Sequence, residues 1–581
     1  FLAAPGPPIQ MNAMKRSVLS VGVVLSMTAA PLKADGLDSL ITEYQADQTD
    51  LITIRDVPGS LSDLKRKDEL FGQWLKRLDD LEYDALLPAA RIDWHLLHTH
   101  LVEARQSSTL QTIRLAEMDP LVGFLHPLQE LLGDRSAKHD LDPEKAAGVL
   151  AQVVEDLKAL RKKLDPKHPD PALAKPGPVL AVRTAQLLER QGAKLDQWYG
   201  FYDGFEPEFG WWMSQPQGAL KKEIATTVEF FRKDLAGLKG EPDDPLIGDP
   251  IGKQALSDQL AAEMIALSAD ELLATADKEF AWCEGEMDKA AKAMGCRDRH
   301  EALAKVKSQH AAPGGQAAVV QAEAEKVIRF LKDKDLVTIP KLAEETWGVS
   351  MVGVAQQKTL PYAAYSRPDI RVAYANESMP HEDKLMSMRG NNAAFLHTVT
   401  PHELIPGHHL QGFMASRYST QRQMFNTPFL AEGWALHWEM LLWDLGYSAT
   451  PEEKVGALFW RMHRCARVII SLKFHLGEMT PEEMIKFLVE RVGHEQAGAT
   501  SEVRRYIGDD YGPLYQAAYM TGGLQLRSLL HELTGPGKLS LREFHDRVLH
   551  EGPIPIEMIR VALKGEKLPK DWKPMWKFGN Q

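Results

Sequence analysis

Three cysteines, Cys283, Cys296 and Cys465, are too few for a disulfide scaffold or a thiolate metal site in a chain of 581 residues. In an oxidising compartment Cys283 and Cys296 could pair; as unpaired thiols, all three would pack as small apolar groups. Basic charge is also short. Lys and Arg total 68 against 80 Asp and Glu, a net charge of −12, which argues against nucleic acid as a partner. Beyond an N-terminal leader, no segment approaches a bilayer-spanning run of apolar residues, so no stable membrane insertion is expected once the leader is removed. Internal repeats are missing, and low complexity is confined to the N-terminus.

What is present is ordinary for a globular protein: 44% hydrophobic and 25% charged residues. The length exceeds what one compact core holds, so two or more packed subdomains are expected. The chain opens on Phe1, and the Pro/Gly-rich run to Gln10 reads as sequence upstream of a start at Met11 or Met14. Lys15 and Arg16 then precede an uncharged, largely apolar stretch from Ser17 to Ala30, with small residues at Ala29, Ala30 and Ala34. That layout is a secretory signal peptide, with a buried N-terminal helix as the alternative. No Cys follows the apolar run, so a lipid anchor is not expected. Residues 1–34 are therefore read as extension and signal peptide, and the protein as exported, periplasmic or secreted.

Helical signals dominate the remainder. Ser268/Glu271, Thr450/Glu453, Thr480/Glu483 and Ser540/Glu543 each fit a capping box, in which a hydroxyl and a Glu three residues on satisfy free amides. Apolar residues three or four apart follow each one, such as Met484, Phe487, Leu488 and Val492. Helical periodicity also covers roughly 62–82, 142–164, 178–197 and 216–238. Gly240 to Gly252 is rich in Pro, Gly and Asp and reads as a connection. It divides an N-terminal helical region, 35–240, from a helical catalytic region, 241–581. The best strand candidates are Ser350–Ala355 and Ile370–Tyr374, around Pro361 and Pro368. The expected fold is mostly α and multi-helix, with a small sheet near the site.

Seven of the 20 histidines fall between His397 and His475, so the chemistry is sought there. His-Glu dipeptides occur at His300, His381, His402, His494, His531 and His550, but only His402 is followed closely by further histidines. The segment Thr400-Pro-His-Glu-Leu-Ile-Pro-Gly-His-His-Leu-Gln411 looks like a stretched His-Glu-x-x-His zinc motif. On a regular helix His408 would point roughly 120° from His402, and His409 would lie about 10 Å along the axis. Pro406-Gly407 offers a distortion that re-aims the next residue, which favours His408 as ligand and His409 as its neighbour. Glu432, 24 residues past His408, supplies a third ligand; two His and one Glu leave a coordination position for water. Otherwise it is a carboxylate at a helix N-terminus. Glu439, seven residues on, shares its face and could orient a ligand imidazole.

The run His402-Glu-Leu-Ile-Pro-Gly-His-His409-Leu-Gln, followed by Glu432-Gly-Trp-Ala-Leu, resembles the bacterial family catalogued as domain of unknown function 885. That family looks like a distant relative of the gluzincin metallopeptidases, whose third zinc ligand is a Glu on a downstream helix. The motif is also similar to that of the dipeptidyl peptidase III family, which inserts one residue where this chain inserts two. Downstream, the resemblance takes in Ala466-Arg467, His475, Glu502-Val-Arg-Arg-Tyr506 and Tyr519-Met-Thr-Gly522; upstream it is carried by Ile251-Gly-Lys-Gln and Ala269-Asp-Glu-Leu-Leu273. The chain departs from the family pattern over Val468–His475 and Gly508–Pro513.

The resemblance implies zinc-dependent hydrolysis of short peptides. Glu403 would be the general base, and Tyr519 or His475 a donor to the developing oxyanion. Both could equally be core residues. Arg504 or Arg505, otherwise surface charges, could hold a substrate's C-terminal carboxylate, so a carboxypeptidase or dipeptidase is expected. An exported, non-catalytic metal- or peptide-binding protein and a metal-dependent amidohydrolase acting on a non-peptide amide are the rival readings. The oligomeric state is left open.

Overall fold

The computed structural model describes residues 37–579 apart from 54–56, 138–140, 168–169, 242–243, 359, 361 and 509–510. The signal-peptide reading falls outside the described residues. The fold is mostly α-helical, with one three-stranded sheet. The principal helices are numbered in chain order: α1 (Asp38–Thr53), α2 (Leu61–Asp79), α3 (Pro88–Val122), α4 (Pro143–Lys163), α5 (Pro178–Tyr202) and α6 (Pro207–Phe230) in the first half. Then follow α7 (Ala269–Ala293), α8 (Ala393–Glu403), α9 (His408–Ala415), α10 (Pro428–Asp444), α11 (Pro451–His475), α12 (Gln496–Ile507) and α13 (Tyr515–Leu533). All four capping boxes form, each with the reciprocal pair of backbone bonds that local chemistry dictates.

The cores do not divide at residue 240. One apolar cluster is built from α4–α6 and their neighbours, with Leu157, Leu188, Trp198 and Phe209 at its centre. A second joins Leu40, Trp74 and Leu97 from α1–α3 to Leu410, Trp434 and Trp438 from α9 and α10. The buried Arg422–Asp93 pair, 2.7 Å apart, crosses the same boundary. The first three helices thus back the helices that carry the histidines. A third cluster packs α7 against α11, α12 and α13. None of the helices among the described residues is long and apolar enough to cross a membrane.

Strands β1 (Gly348–Met351), β2 (Ala363–Ser366) and β3 (Asp369–Val372) lie in the order β1-β3-β2. β1 runs parallel to β3, and β2 antiparallel to it. The expected strand at Ile370–Tyr374 is therefore central, and the edges are β1 and β2, of which β2 is a strand the sequence pattern did not mark. Two alanines, a tyrosine and a serine carry too little apolar alternation to announce a strand. The structure decides between the two readings of the cysteines. Cys283 and Cys296 do not pair; all three are free thiols. Cys283 on α7 lies instead beside Cys465 on α11, and burial together with Cys283 pushes the Cys465 thiol up.

Candidate metal centre

The spacing problem posed by His402 and His408 is solved by ending one helix and starting another. α8 stops at Glu403 and α9 begins at His408. Between them the Gly407 amide donates to the Pro401 carbonyl at 2.9 Å, and the His409 amide to that of Leu404 at 3.1 Å. A Cβ on residue 407 would sit 1.7 Å from the His402 carbonyl oxygen, so only glycine allows this turn. The indole N–H of Trp434, on α10, donates to the Pro406 carbonyl at 2.8 Å and pins the turn from outside.

The consequence is convergence. One ligand atom from each of His402, His408 and Glu432 lies within 4.8 Å of the others. Glu432 Oε2 is 3.5 Å from His402 Nε2 and 3.3 Å from His408 Nε2. Ligands about 2 Å from one tetrahedral ion are separated by similar distances. The other Glu432 oxygen accepts a hydrogen bond from the Tyr515 hydroxyl, while Oε2 is buried without a hydrogen bond among the described residues. A buried carboxylate oxygen left over between two imidazoles is the donor set that a zinc-like cation would complete.

Glu439 accepts from His402 Nδ1 at 2.6 Å, so Nε2 is the atom His402 presents. Arg464 donates to the same Glu439 oxygen at 3.3 Å. Burial disfavours charge on His402, yet Glu432 and Glu439 outweigh it and hold this imidazole up at about 9. Burial likewise opposes ionisation of Glu432, but His408 and His402 keep its carboxyl well below the usual range. Glu403, at the end of α8, accepts the Tyr365 amide at 2.8 Å, an N–H from the edge strand β2. A cavity of about 370 Å³ joins these groups and is lined in addition by Tyr519, Trp460, Arg467 and Arg505.

The remaining candidates divide. Tyr519 lies in the cavity with its ring stacked 6.2 Å from that of His402, and burial followed by Glu432 pushes its phenol up, keeping it protonated. His409 turns away: Nε2 meets the Ala343 carbonyl at 2.8 Å and Nδ1 the Tyr365 hydroxyl at 3.2 Å. It supports the Tyr365 ring, which stacks on His408, and touches neither ligand imidazole directly. His475 is displaced from the site. It ends α11 beside Phe474, where burial and Arg114 push it down to about 4, and it is no part of the cavity wall. Eight residues of helix, about 12 Å, separate it from Arg467. Arg505 lines the metal cavity, whereas Arg504 is exposed and borders a different cavity across Tyr362.

Sequence reasoning gave no role to Arg464, Tyr515 or the Tyr365 amide, and none to Arg467 beyond the family pattern. One signal was available for Tyr515: it precedes Tyr519 by four residues and so shares its helix face. A further positional device is the contact between α10 and α13. A Cβ on Gly433 would lie 2.6 Å from Gly522 Cα, and one on Gly522 1.9 Å from the Phe429 carbonyl oxygen. Backbones this close carry Glu432 over Tyr515 and Tyr519.

The model of a bacterial protein family of unknown function, DUF885, matches residues 56–563. The chain belongs to the DUF885 family. Two solved structures share its fold: a candidate lipoprotein of unknown function from Shewanella oneidensis (TM-score 0.65, 16% identity, 91% of this chain and 100% of that one), and a candidate lipoprotein from Colwellia psychrerythraea (TM-score 0.57, 17% identity, 91% and 98%). None of the curated proteins matches.

Proposed function

We propose that this DUF885 member is an exported, zinc-dependent hydrolase of peptide bonds in short peptides. The single observation that carries the reading is the pairing of the His402–His408–Glu432 cluster with Glu403, an acid that the cluster itself does not need. A purely metal-binding site has no use for a carboxylate placed at its side by a backbone N–H. The candidate lipoproteins that share the fold support export.

A zinc ion held by the two histidines and Glu432 supplies Lewis acidity, polarising a carbonyl and acidifying water. Glu403 takes a proton from the attacking water as the new C–O bond forms, then delivers it to the amine nitrogen as the C–N bond breaks. The Tyr365 amide fixes the carboxylate through Oε2. Tyr519 donates its phenolic hydrogen to the oxyanion. Edge strand β2, whose Ala363 and Tyr365 line the cavity, can pair with an extended peptide.

Zinc-loaded protein should hydrolyse members of a mixed peptide library. Glu403→Gln should retain stoichiometric zinc and lose about 10²–10⁴-fold in kcat. Undiminished turnover removes the mechanism, and zinc binding without any turnover in the wild type leaves a binding protein. Turnover confined to non-peptide amides makes it an amidohydrolase.

A further inference from the structure

One wall of the cavity is built from Arg464, Arg467 and Arg505, whose charge is not fully used. Arg467 and Arg505 both donate to one oxygen of Glu502, at 3.1 and 2.7 Å. Tyr506 donates to that same oxygen. Two guanidiniums therefore share a single carboxylate. Arg467 Nη1, Arg505 Nε and Arg464 Nε are all buried with no hydrogen-bond partner among the described residues. The Trp460 indole N–H, in the same wall, is also left over. Buried donors without acceptors are rare in folded proteins and call for a partner. Here the partner must be an acceptor, and the formal charge says it is anionic. With a divalent cation in the histidine cluster, the three arginines and the cation outweigh Glu403, Glu432, Glu439 and Glu502 by one positive charge.

The geometry points to a pocket for one substrate carboxylate, held by Arg467 and Arg505 and backed by Arg464, within the same cavity as the hydrolytic site. This assignment rests on the hydrolase reading and gives it a substrate class. Tyr519 sets the distance. Its ring stacks 6.2 Å from His402 on one side and lies 4.4 Å from the Arg467 guanidinium. A chain of about three extended residues covers such a gap. The substrate is therefore a short peptide whose carboxylate lies close to the bond that is cut. A C-terminal carboxylate and an acidic side chain share that chemistry, and a planar guanidinium fork recognises either.

The test compares one peptide in three forms on zinc-loaded protein: free acid, C-terminal amide, and amide with a Glu side chain next to the scissile bond. The free acid should exceed the amide in kcat/KM by at least about tenfold, chiefly through KM, since a held carboxylate contributes to binding before the transition state. Arg505→Gln should erase that preference, bringing kcat/KM for the free acid down to the level of the amide. Glu502 keeps Arg467 and Tyr506 as partners in this variant, and Arg505→Lys should restore part of the preference. Rescue of the amide by the Glu side chain supports the pocket and assigns it to an acidic residue. Equal hydrolysis of all three forms overturns it. If no peptide is cut, the hydrolase reading fails separately, and calorimetry on zinc-loaded protein decides the pocket. Binding of an N-acetyl amino acid but not of its amide, lost in Arg505→Gln, sustains it; no discrimination between the two overturns it.

Discussion

The α4–α6 cluster and the α8–α13 region are both packed helices, yet they treat charge in opposite ways. In α4–α6 the interior is mainly leucine, alanine and aromatic, with Glu223 and its partner Arg161 the charged exception, while ion pairs such as Lys221–Asp196 and Lys158–Glu155 stand in solvent. In α8–α13, Arg464, Arg467, Glu439, Glu502, His463 and His494 are buried. Removing charges from water costs several kcal/mol per ion, and their mutual attraction often no more than offsets it. A core built for stability alone would look like α4–α6. The buried charges of the second region instead orient ligands: Glu439 aims His402, Tyr515 ties one oxygen of Glu432, and Glu502 gathers two arginines.

The comparison breaks first at the metal. His408→Ala should abolish zinc binding measurable by calorimetry, and Glu439→Gln should weaken it by about 10–100-fold, since its partner imidazole loses its orientation. Leu188→Ala, in the core of α4–α6, should leave zinc affinity untouched while costing about 2–5 kcal/mol in chemical denaturation. If Leu188→Ala weakens zinc as much as Glu439→Gln does, the two regions are not functionally separate.

A smaller effect is expected where α10 and α13 touch. Gly522→Ala should cost about 1–3 kcal/mol through overpacking and should also lower zinc affinity, because the helix carrying Glu432 is pushed from its tyrosines. Loss of stability with unchanged zinc affinity would detach that contact from the site.

Acid should distinguish the regions next. His494 and His545 are fully buried, and burial holds them down at about 3 and about 4. Both stay neutral in the folded chain at pH values where the unfolded chain, with an ordinary value near 6.5, takes up protons. Their contribution is fully present above about pH 6.5 and is lost as pH falls from there toward 4. The loss is about 1.4 kcal/mol per pH unit for each histidine. Helices α4–α6 contain no histidine, so hydrogen exchange between pH 7 and 5 should accelerate in α8–α13 before it does in α4–α6. Uniform acceleration would contradict this. The smallest change belongs to the surface: Lys221→Ala, removing an exposed ion pair, should move stability by no more than about 0.5 kcal/mol in a denaturant titration.

Local chemistry was legible in the sequence because it depends on neighbours in the chain. The capping boxes at Ser268, Thr450, Thr480 and Ser540 form as read. The donor set His402, His408 and Glu432 could be named, since its residue types and the Pro406-Gly407 break are written in order. The edge strand could not, because four residues of ordinary composition become an edge only through pairing with β3.

The arginine wall was hidden for a related reason. Helix α11 is buried almost all round from Val455 to His475, so its sequence has no polar face to show which side meets the cavity. Arg464 and Arg467 face the cavity and His475 does not; spacing along one helix could not separate them without knowing where α12 and α13 cross it. The sequence by itself determined the helices and their caps, because these follow from residues a few positions apart, and it named the three residues of the candidate metal cluster. Tertiary structure decided which charges share the cavity, because residues distant in the chain, such as Tyr365, Arg464 and Arg505, meet there only when separate helices and a strand pack together.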